Sequence, residues 1–372
     1  MPSIRLVDVT KRFGDITALD RVNLEIEDGE YVCVLGPTGS GKTTLLRLIA
    51  GVIKPTEGEI YIDGEPASRI PPQERNAAYL PQQYALFPHM RVIDNVAFGP
   101  MAKGLSREEA YEISKRMLEM TRLAWRMNSY PHELSGGMQQ RLALARALAS
   151  GAELLLLDEP LGALDARLRV ELRYRLRELV KDEGLTAIHV THDQEEAMAI
   201  SDRIVVLRDG RIQQEGRPIE VYREPNSIFV ANFVGGANFL EGFVHRRLNG
   251  SSIIQLRGGL RVRVLDTRFN LGERVVVAIR EEATGIVPSS LKSKGGRGNL
   301  LPGRVRDISF LGSVVVYEVE LVNGEVLNSK VPIQMDHGRF RVGDEVLLSL
   351  NPEHLRVYPY PPIGLYRELE AV

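Results

Sequence analysis

Residues 31–43 read YVCVLGPTGSGKT, and the chain continues TLLRLIAG through residue 51. YVCVL is a near-continuous apolar run, the pattern of a strand whose two faces are both covered. It leads into Gly36-Pro37-Thr38-Gly39-Ser40-Gly41-Lys42-Thr43, which fits GxxxxGK followed by Ser or Thr, and then into a helical run. Glycines let backbone N–H groups curl around an anion, and the helix N-terminus adds its positive end. In such a loop Lys42 reaches the β- and γ-phosphates and the Thr43 hydroxyl binds Mg²⁺. Strand before and helix after are the context that separates a phosphate loop from a chance match. This part of the chain is expected to bind a nucleoside triphosphate.

Outward from that loop, short apolar runs alternate with helical patterns up to about residue 235, as parallel strands joined by crossover helices do. LLLL (154–157) and TAIHVT (186–191) read as further buried strands. Asp158 and Glu159 end the first of these, where one carboxylate can hold Mg²⁺ and the next can polarise an attacking water. A helix near 166–181 makes 154–191 one right-handed βαβ unit, so Glu159 and His192 are expected at the carboxyl ends of neighbouring strands. That edge is where open α/β sheets bind ligands. Leu134-Ser135-Gly136-Gly137-Met138 is a second place suited to an anion, with Ser135 expected to cap the helix that follows.

After residue 235 the texture changes to alternating strands and turns. Val314–Leu321 and Val326–Val331 flank Asn323-Gly324, a hairpin signal. The region also repeats itself. NFLEGFV (238–244) matches NLLPGRV (299–305) at an offset of 61, and 268–288 matches 339–359 without a gap at an offset of 71. Arg268/Arg339, Phe269/Phe340, Gly272/Gly343, Val275/Val346, Glu282/Glu353 and Pro288/Pro359 are identical. Residues 289–298, SSLKSKGGRG, read as a linker between copies. Each copy is about the size of a small five-stranded barrel such as the OB-fold.

In combination these motifs resemble the ATP-binding cassette (ABC) ATPases, and more narrowly the subunits that power binding-protein-dependent importers of the maltose, polyamine and ferric-iron type. The resemblance covers nearly the whole chain: GPTGSGKT as Walker A, LSGGM as signature, LLLLDEP as Walker B, GALD (162–165, with Asp165) as D-loop and TH (191–192) as switch. It implies a P-loop NTPase domain with a helical subdomain over 1–235. A transport-associated all-β domain of two OB-like barrels, regulatory or dimerising, is implied over 236–372. It further implies ATP bound by Gly36 through Thr43 with Thr44, its adenine stacked on Phe13 of KRFG (11–14). Thr43, Asp158 and Gln82 would serve Mg²⁺, and Glu159, His192 and Gln82 would serve hydrolysis. Two subunits would sandwich ATP head to tail, each site completed by Ser135, Gly136 and Gly137 of the other chain. Tyr84–His89 would lie in the groove that receives the membrane partner. Met138 stands where the family usually has glutamine, and Phe13 supplies a ring without a hydroxyl.

Composition agrees with this and narrows it. Of 372 residues 44% are hydrophobic and 26% charged, with a net charge of −2, so no basic excess favours nucleic acid. The single cysteine leaves no internal disulfide or cysteine zinc site. MPSIRLVDVTKRFG is polar too early for a secretory signal, and no apolar run approaches the roughly 18 residues of a membrane span. The expectation is a peripheral homodimer at the cytoplasmic face of the membrane, joined to integral-membrane subunits and indirectly to an extracytoplasmic solute-binding protein. A soluble ABC ATPase acting on nucleic acid is disfavoured: 43–134 is too short for a coiled-coil insertion and there is one Walker A. FVGGANFLEGFV (233–244) lies closer to polyamine, iron or inorganic-anion importers than to maltose-type sugar importers, which remain the alternative.

Overall fold

The computed structural model describes residues 2–290, 298–336 and 338–370. The proposed linker falls mostly on 291–297, outside the described residues. The chain forms two compact units, Met1–Glu224 and Pro225–Val372.

In the first unit the strands are β1 (Ile4–Phe13), β2 (Ile16–Ile26), β3 (Tyr31–Leu35), β4 (Glu57–Ile62), β5 (Glu65–Pro66), β6 (Ala77–Leu80), β7 (Leu154–Asp158), β8 (Thr186–Thr191), β9 (Arg203–Arg208) and β10 (Arg211–Gly216). The helices are α1 (Lys42–Ile49), α2 (Val92–Ala102), α3 (Arg107–Met120), α4 (Gly136–Ala149), α5 (Ala166–Asp182), α6 (Gln194–Ile200) and α7 (Pro218–Arg223). A six-stranded sheet runs β10-β9-β3-β8-β7-β6, parallel except for the edge strand β10. All five residues of β3 and of β7 are buried, which is why their sequences carry no alternation. The parallel order brings the ends of β3, β6, β7 and β8 to one edge.

Not every strand of this unit is parallel, as the sequence pattern suggested. A second sheet, β2-β1-β4-β5, is antiparallel and accounts for most of residues 4–66 outside the phosphate loop. Its alternating burial in β2, Val22, Leu24 and Ile26 inward, packs on the same apolar cluster as Val32, Leu46 and Leu156. The helices α2, α3 and α4 gather around a separate cluster that includes Val96, Leu118, Leu123 and Leu142, and this is the helical subdomain.

The second unit opens with α8 (Ile228–Phe233), whose Ile228 and Ala231 pack with Val276, Ala278 and Tyr358. That packing draws the unit's start ahead of residue 235. Its strands are β11 (Ala237–Leu248), β12 (Ser251–Leu256), β13 (Arg261–Val264), β14 (Arg274–Arg280), β15 (Thr284–Pro288), β16 (Asn299–Phe310), β17 (Val314–Leu321), β18 (Val326–Pro332), β19 (Glu345–Leu350) and β20 (Arg356–Pro359), followed by α9 (Leu365–Glu370). They form two five-stranded sheets, β13-β12-β11-β14-β20 and β15-β19-β16-β17-β18.

The duplication is visible in the register, with an exchange. The last strand of each copy lies in the other copy's sheet. β15 pairs with β19, Pro288 opposite Val346, and β20 pairs with β14, Pro359 opposite Val275. These pairs map onto each other at the same offset of 71. One apolar cluster holds Leu240, Val275 and Val277 of the first copy with Leu301, Val346 and Leu348 of the second. The paired glycines have a matching reason: a Cβ on Gly242 would meet Ile254 Cγ2 at 2.6 Å, and one on Gly303 would meet Val319 Cγ1 at 2.7 Å.

The asparagine that opens each repeat closes the exchange. Asn238 donates from Nδ2 to the Asn328 carbonyl and accepts the Asn328 N–H, both at 2.7 Å. Asn299 does the same to Arg263, at 3.0 and 2.6 Å. Each is buried and each reaches into the other copy. Removing either side chain leaves a strand N–H and C=O unpaired, a loss of about 2 kcal/mol or more. Asn299→Ala is therefore expected to lower the urea midpoint of the second unit, with β12, β13, β16 and β17 amides losing hydrogen-exchange protection together. Loss confined to the sheet that carries Asn299 would contradict a shared core.

Candidate functional site

The phosphate loop begins where β3 ends, and its closing glycine is held in a conformation few residues adopt. Gly41 has φ 104°, and a Cβ there would sit 2.5 Å from the Ala18 carbonyl oxygen. Gly41 is the N-cap of α1, whose first turn carries no acidic side chain, so the helix end is open to an anion. Ser40 is buried with its hydroxyl unpartnered. Lys42 is also buried, its Nζ donating to the Gly36 and Pro37 carbonyls at 2.8 Å each. Burial lowers its pKa, opposed by the nearby carboxylates of Glu159 and Asp158. The loop thus folds around its own lysine, and Thr38 and Gly39 lie exposed at its tip.

At the neighbouring strand ends the acidic pair divides. Thr43 donates from Oγ1 to Asp158 Oδ1 at 3.1 Å. Asp158 is 2% exposed, and its Oδ2 is buried without a hydrogen-bond partner. Burial raises its pKa; the Thr43 bond opposes that and the Glu159 charge adds to it. A buried, half-satisfied carboxylate beside a hydroxyl is a place a cation would relieve. Among the described residues no group of three or more His, Cys, Asp or Glu side chains forms a cage. A cation here would draw its remaining ligands from phosphate and water, as Mg²⁺ commonly does.

Glu159 turns out of β7 with φ 52°, a left-handed conformation unusual for a residue with a side chain. The turn aims its carboxylate at the sheet edge between two groups. His192 Nδ1 lies 3.2 Å from Oε1, and Gln82 Nε2 donates to Oε2 at 3.2 Å. His192 and Gln82 follow β8 and β6, so three separate strand ends meet at one carboxylate. Gln82, and not Gln83, makes this contact.

The other residues singled out from sequence lie around this centre. Phe13 ends β1 as an exposed residue, with the Lys11 ammonium 5.0 Å from its ring centroid. Thr44 is in the first turn of α1, and Asp165 caps α5 by accepting the Leu168 N–H. Ser135 occupies the N-cap position of α4, and its hydroxyl makes no capping bond. It is exposed, as is Gly136, with Gly137 half-buried behind. Met138 packs on the helical cluster, away from any polar role. Cys33 is a core residue of β3, its thiol pKa pushed well up by burial.

Three side chains that build the site's walls were not foreseen. Asn95 is fully buried and bonds both the N–H and C=O of Phe87 and the carbonyls of Met90 and Arg91. Arg146 donates to the Tyr84 and Ala85 carbonyls and stacks over Phe87. Together they hold the 84–91 segment, where Tyr84 and Ala85 both have positive φ. Gln140 bonds the backbone on either side of the turn after Glu159. Asn95 and Arg146 lie on helices as polar residues inside an apolar pattern, the signal that could have found them; Gln140, between Gln139 and Arg141, has no such signal.

Residues 19–162 match the family model described as ABC transporter, and residues 277–357 match the TOBE domain. The chain is 40% identical, over 95% of its length and 92% of the relative's, to the spermidine/putrescine import ATP-binding protein PotA of Rubrobacter xylanophilus. It is 41% identical, over 90% of its length and 94% of the relative's, to the Fe(3+) ions import ATP-binding protein FbpC of Brucella abortus. Among solved structures, a dimeric ATP-binding cassette in a post-hydrolysis state with ADP and phosphate is similar at a TM-score of 0.55 and 37% identity, covering 58% of this chain and 98% of that one. No helix among the described residues is long and apolar enough to cross a membrane.

Proposed function

The chain belongs to the ABC transporter family as an ATP-hydrolysing import subunit, and from that premise we propose how its residues divide the work and which solute it serves. The carrying observation is the meeting of Gln82, Glu159 and His192 beside the Thr43–Asp158 pair. In this reading Lys42 leaves the loop carbonyls to neutralise the β- and γ-phosphates, while the loop N–H groups and the Ser40 hydroxyl bind their oxygens. Adenine stacks on the exposed Phe13 ring. Glu159 polarises a water in line with the γ-phosphate, and His192 and Gln82 fix the orientation of that carboxylate. Thr43 and Asp158 would hold Mg²⁺, with Gln82 near it; the ion supplies charge neutralisation across the phosphate oxygens.

Two copies close head to tail, the free Ser135 hydroxyl and the backbone at Gly136 and Gly137 completing the partner's site. ATP favours the closed dimer because its γ-phosphate joins two surfaces that lose this link after hydrolysis. Closure moves integral-membrane subunits, which receive solute from an extracytoplasmic binding protein, with this subunit peripheral at the cytoplasmic face. The Tyr84–His89 segment, pinned by Asn95 and Arg146, is the surface those subunits engage. Relatives named for polyamines and for ferric iron support a solute of one of those two classes. Co-purification with the native membrane subunits and uptake of labelled spermidine and ferric iron into proteoliposomes tests this. ATP-dependent uptake of either is the expected result, and uptake of maltose alone would overturn the solute reading.

Asp158 gives a separate check. Its pKa is raised on folding, so the charged carboxylate costs the native state nothing at low pH. The cost appears as pH rises past the ordinary carboxylate range and is complete above the raised value. At neutral pH without ligand, Asp158→Asn is expected to melt no lower than the parent. It should lose the extra Tm increment that Mg²⁺ adds to ATP, together with turnover. An Mg²⁺ increment that survives the substitution would remove Asp158 from the metal site.

A further inference from the structure

Gln140 is 4% exposed, an amide side chain buried on the first turns of α4. Both ends of that amide are spent on one short stretch of backbone. Nε2 donates to the Glu159 carbonyl at 2.8 Å, and Oε1 accepts the Ala163 N–H at 2.9 Å. The bridged segment, 159–163, is the turn that carries the water-facing carboxylate into the D-loop. It is held from the other side too, since the Glu159 N–H donates to the Val190 carbonyl of β8 at 2.9 Å. Glu159 is therefore held on both sides, its preceding peptide by a strand and its following peptide by a helix, while the residue itself sits at φ 52°. Such a backbone conformation costs about 1–3 kcal/mol and persists only where surrounding bonds over-determine it.

A second contact joins the same two elements. A Cβ on Gly137 would lie 2.9 Å from the Ala163 carbonyl oxygen, so α4 approaches this turn more closely than a side chain would allow. One helix thus carries Ser135–Gly137 at its exposed end and, one turn in, grips the backbone of Glu159.

We propose that Gln140 is a positioning residue for hydrolysis: its amide holds the strained Glu159 turn so that the carboxylate meets Gln82 and His192, and ties that aim to the helix bearing the signature residues. This rests on the assignment of Glu159 as the water-polarising group. Both ends of the buried Gln140 amide are taken by backbone, so it acts only through where it puts Glu159. A displacement of about 1 Å in a catalytic group can cost on the order of 100-fold in rate. The effect belongs in kcat, because the loop that binds ATP is built from other residues.

The test is a double-mutant cycle on the full chain with its membrane subunits, measuring ATP hydrolysis and nucleotide affinity separately. Gln140→Met keeps the length of the side chain and removes both bonds. Expected is a loss of about 10- to 100-fold in kcat with ATP affinity within a few-fold of the parent. In the Glu159→Gln background the same change should add almost no further loss, because the aimed group is already gone. Gln140→Glu, which keeps the acceptor for Ala163 and removes the donor to Glu159, should show the same non-additivity and serves if the first variant does not fold. An equal loss in both backgrounds, or weakened ATP affinity at unchanged kcat, would overturn the proposal. Unchanged turnover in Glu159→Gln alone would instead sink the assignment of Glu159, and the two failures are told apart within one experiment.

Discussion

Glu159→Gln is expected to bind ATP as the parent does, to lose about 10²- to 10⁴-fold in turnover, and to accumulate as an ATP-bound dimer on a sizing column. The substitution is nearly isosteric, so the turn at φ 52°, the Gln140 grip on its carbonyl and the neighbouring Thr43–Asp158 bond all remain. What disappears is a negative, proton-accepting carboxylate whose Oε2 lies 3.2 Å from Gln82 and whose Oε1 lies 3.2 Å from His192. Binding and hydrolysis separate because the groups that hold phosphate, Lys42 and the loop amides, sit at the start of α1 and in the loop between β3 and α1, while the base sits at the end of β7. Since ATP itself joins the two chains, a subunit that binds without hydrolysing stays closed. Turnover at the parental rate in this variant would remove Glu159 from its role. His192 is 67% exposed and makes one contact to the carboxylate, so an exchange there is expected to cost less.

The parallel sheet was legible because burial on both faces leaves unbroken apolar strings, and YVCVL, LLLL and TAIHVT appear as strands within a residue of those strings. The meeting of Glu159 with His192 followed from one βαβ unit, a connection with a single hand. The antiparallel sheet of residues 4–66 was missed for the opposite reason. Its strands bury one face, and charged residues such as Asp8, Lys11 and Asp20 interrupt the alternation at register shifts. The duplication was readable as matched residues, but the exchange of β15 and β20 was not, since a repeat in sequence says nothing about which copy a strand pairs with. Asn238 and Asn299 stood in the repeat as identical letters. Only the structure shows that each spends both ends of its amide on the other copy's backbone. Gln140 escaped similarly, as one of two adjacent glutamines followed by Arg141 in the polar first turns of a helix. Its partners are backbone atoms, which no side-chain pattern records.

The largest effect that a mixture of chains can show comes from Ser135. Its hydroxyl sits at the N-cap of α4, exposed and unused by its own helix, beside an end with no acidic residue in the first turn. A helix start whose serine does not cap is suited to an external anion. Lys42→Ala should abolish phosphate binding in its own chain, and Ser135→Arg should block closure against a partner's nucleotide. Each variant alone is then expected to be inactive as a homodimer, both of its sites carrying the same defect. A verified heterodimer of the two is different if Ser135 serves the partner. One site then collects both defects, and the other pairs an intact Lys42 with an intact Ser135. Activity approaching half that of the parent should return on mixing, and should rise with the heterodimer fraction. If Ser135 instead served its own chain, each chain in the mixture would still carry one fatal defect in its only site. Mixing would then restore nothing, so complete inactivity of purified heterodimers would exclude independent sites shared between two chains.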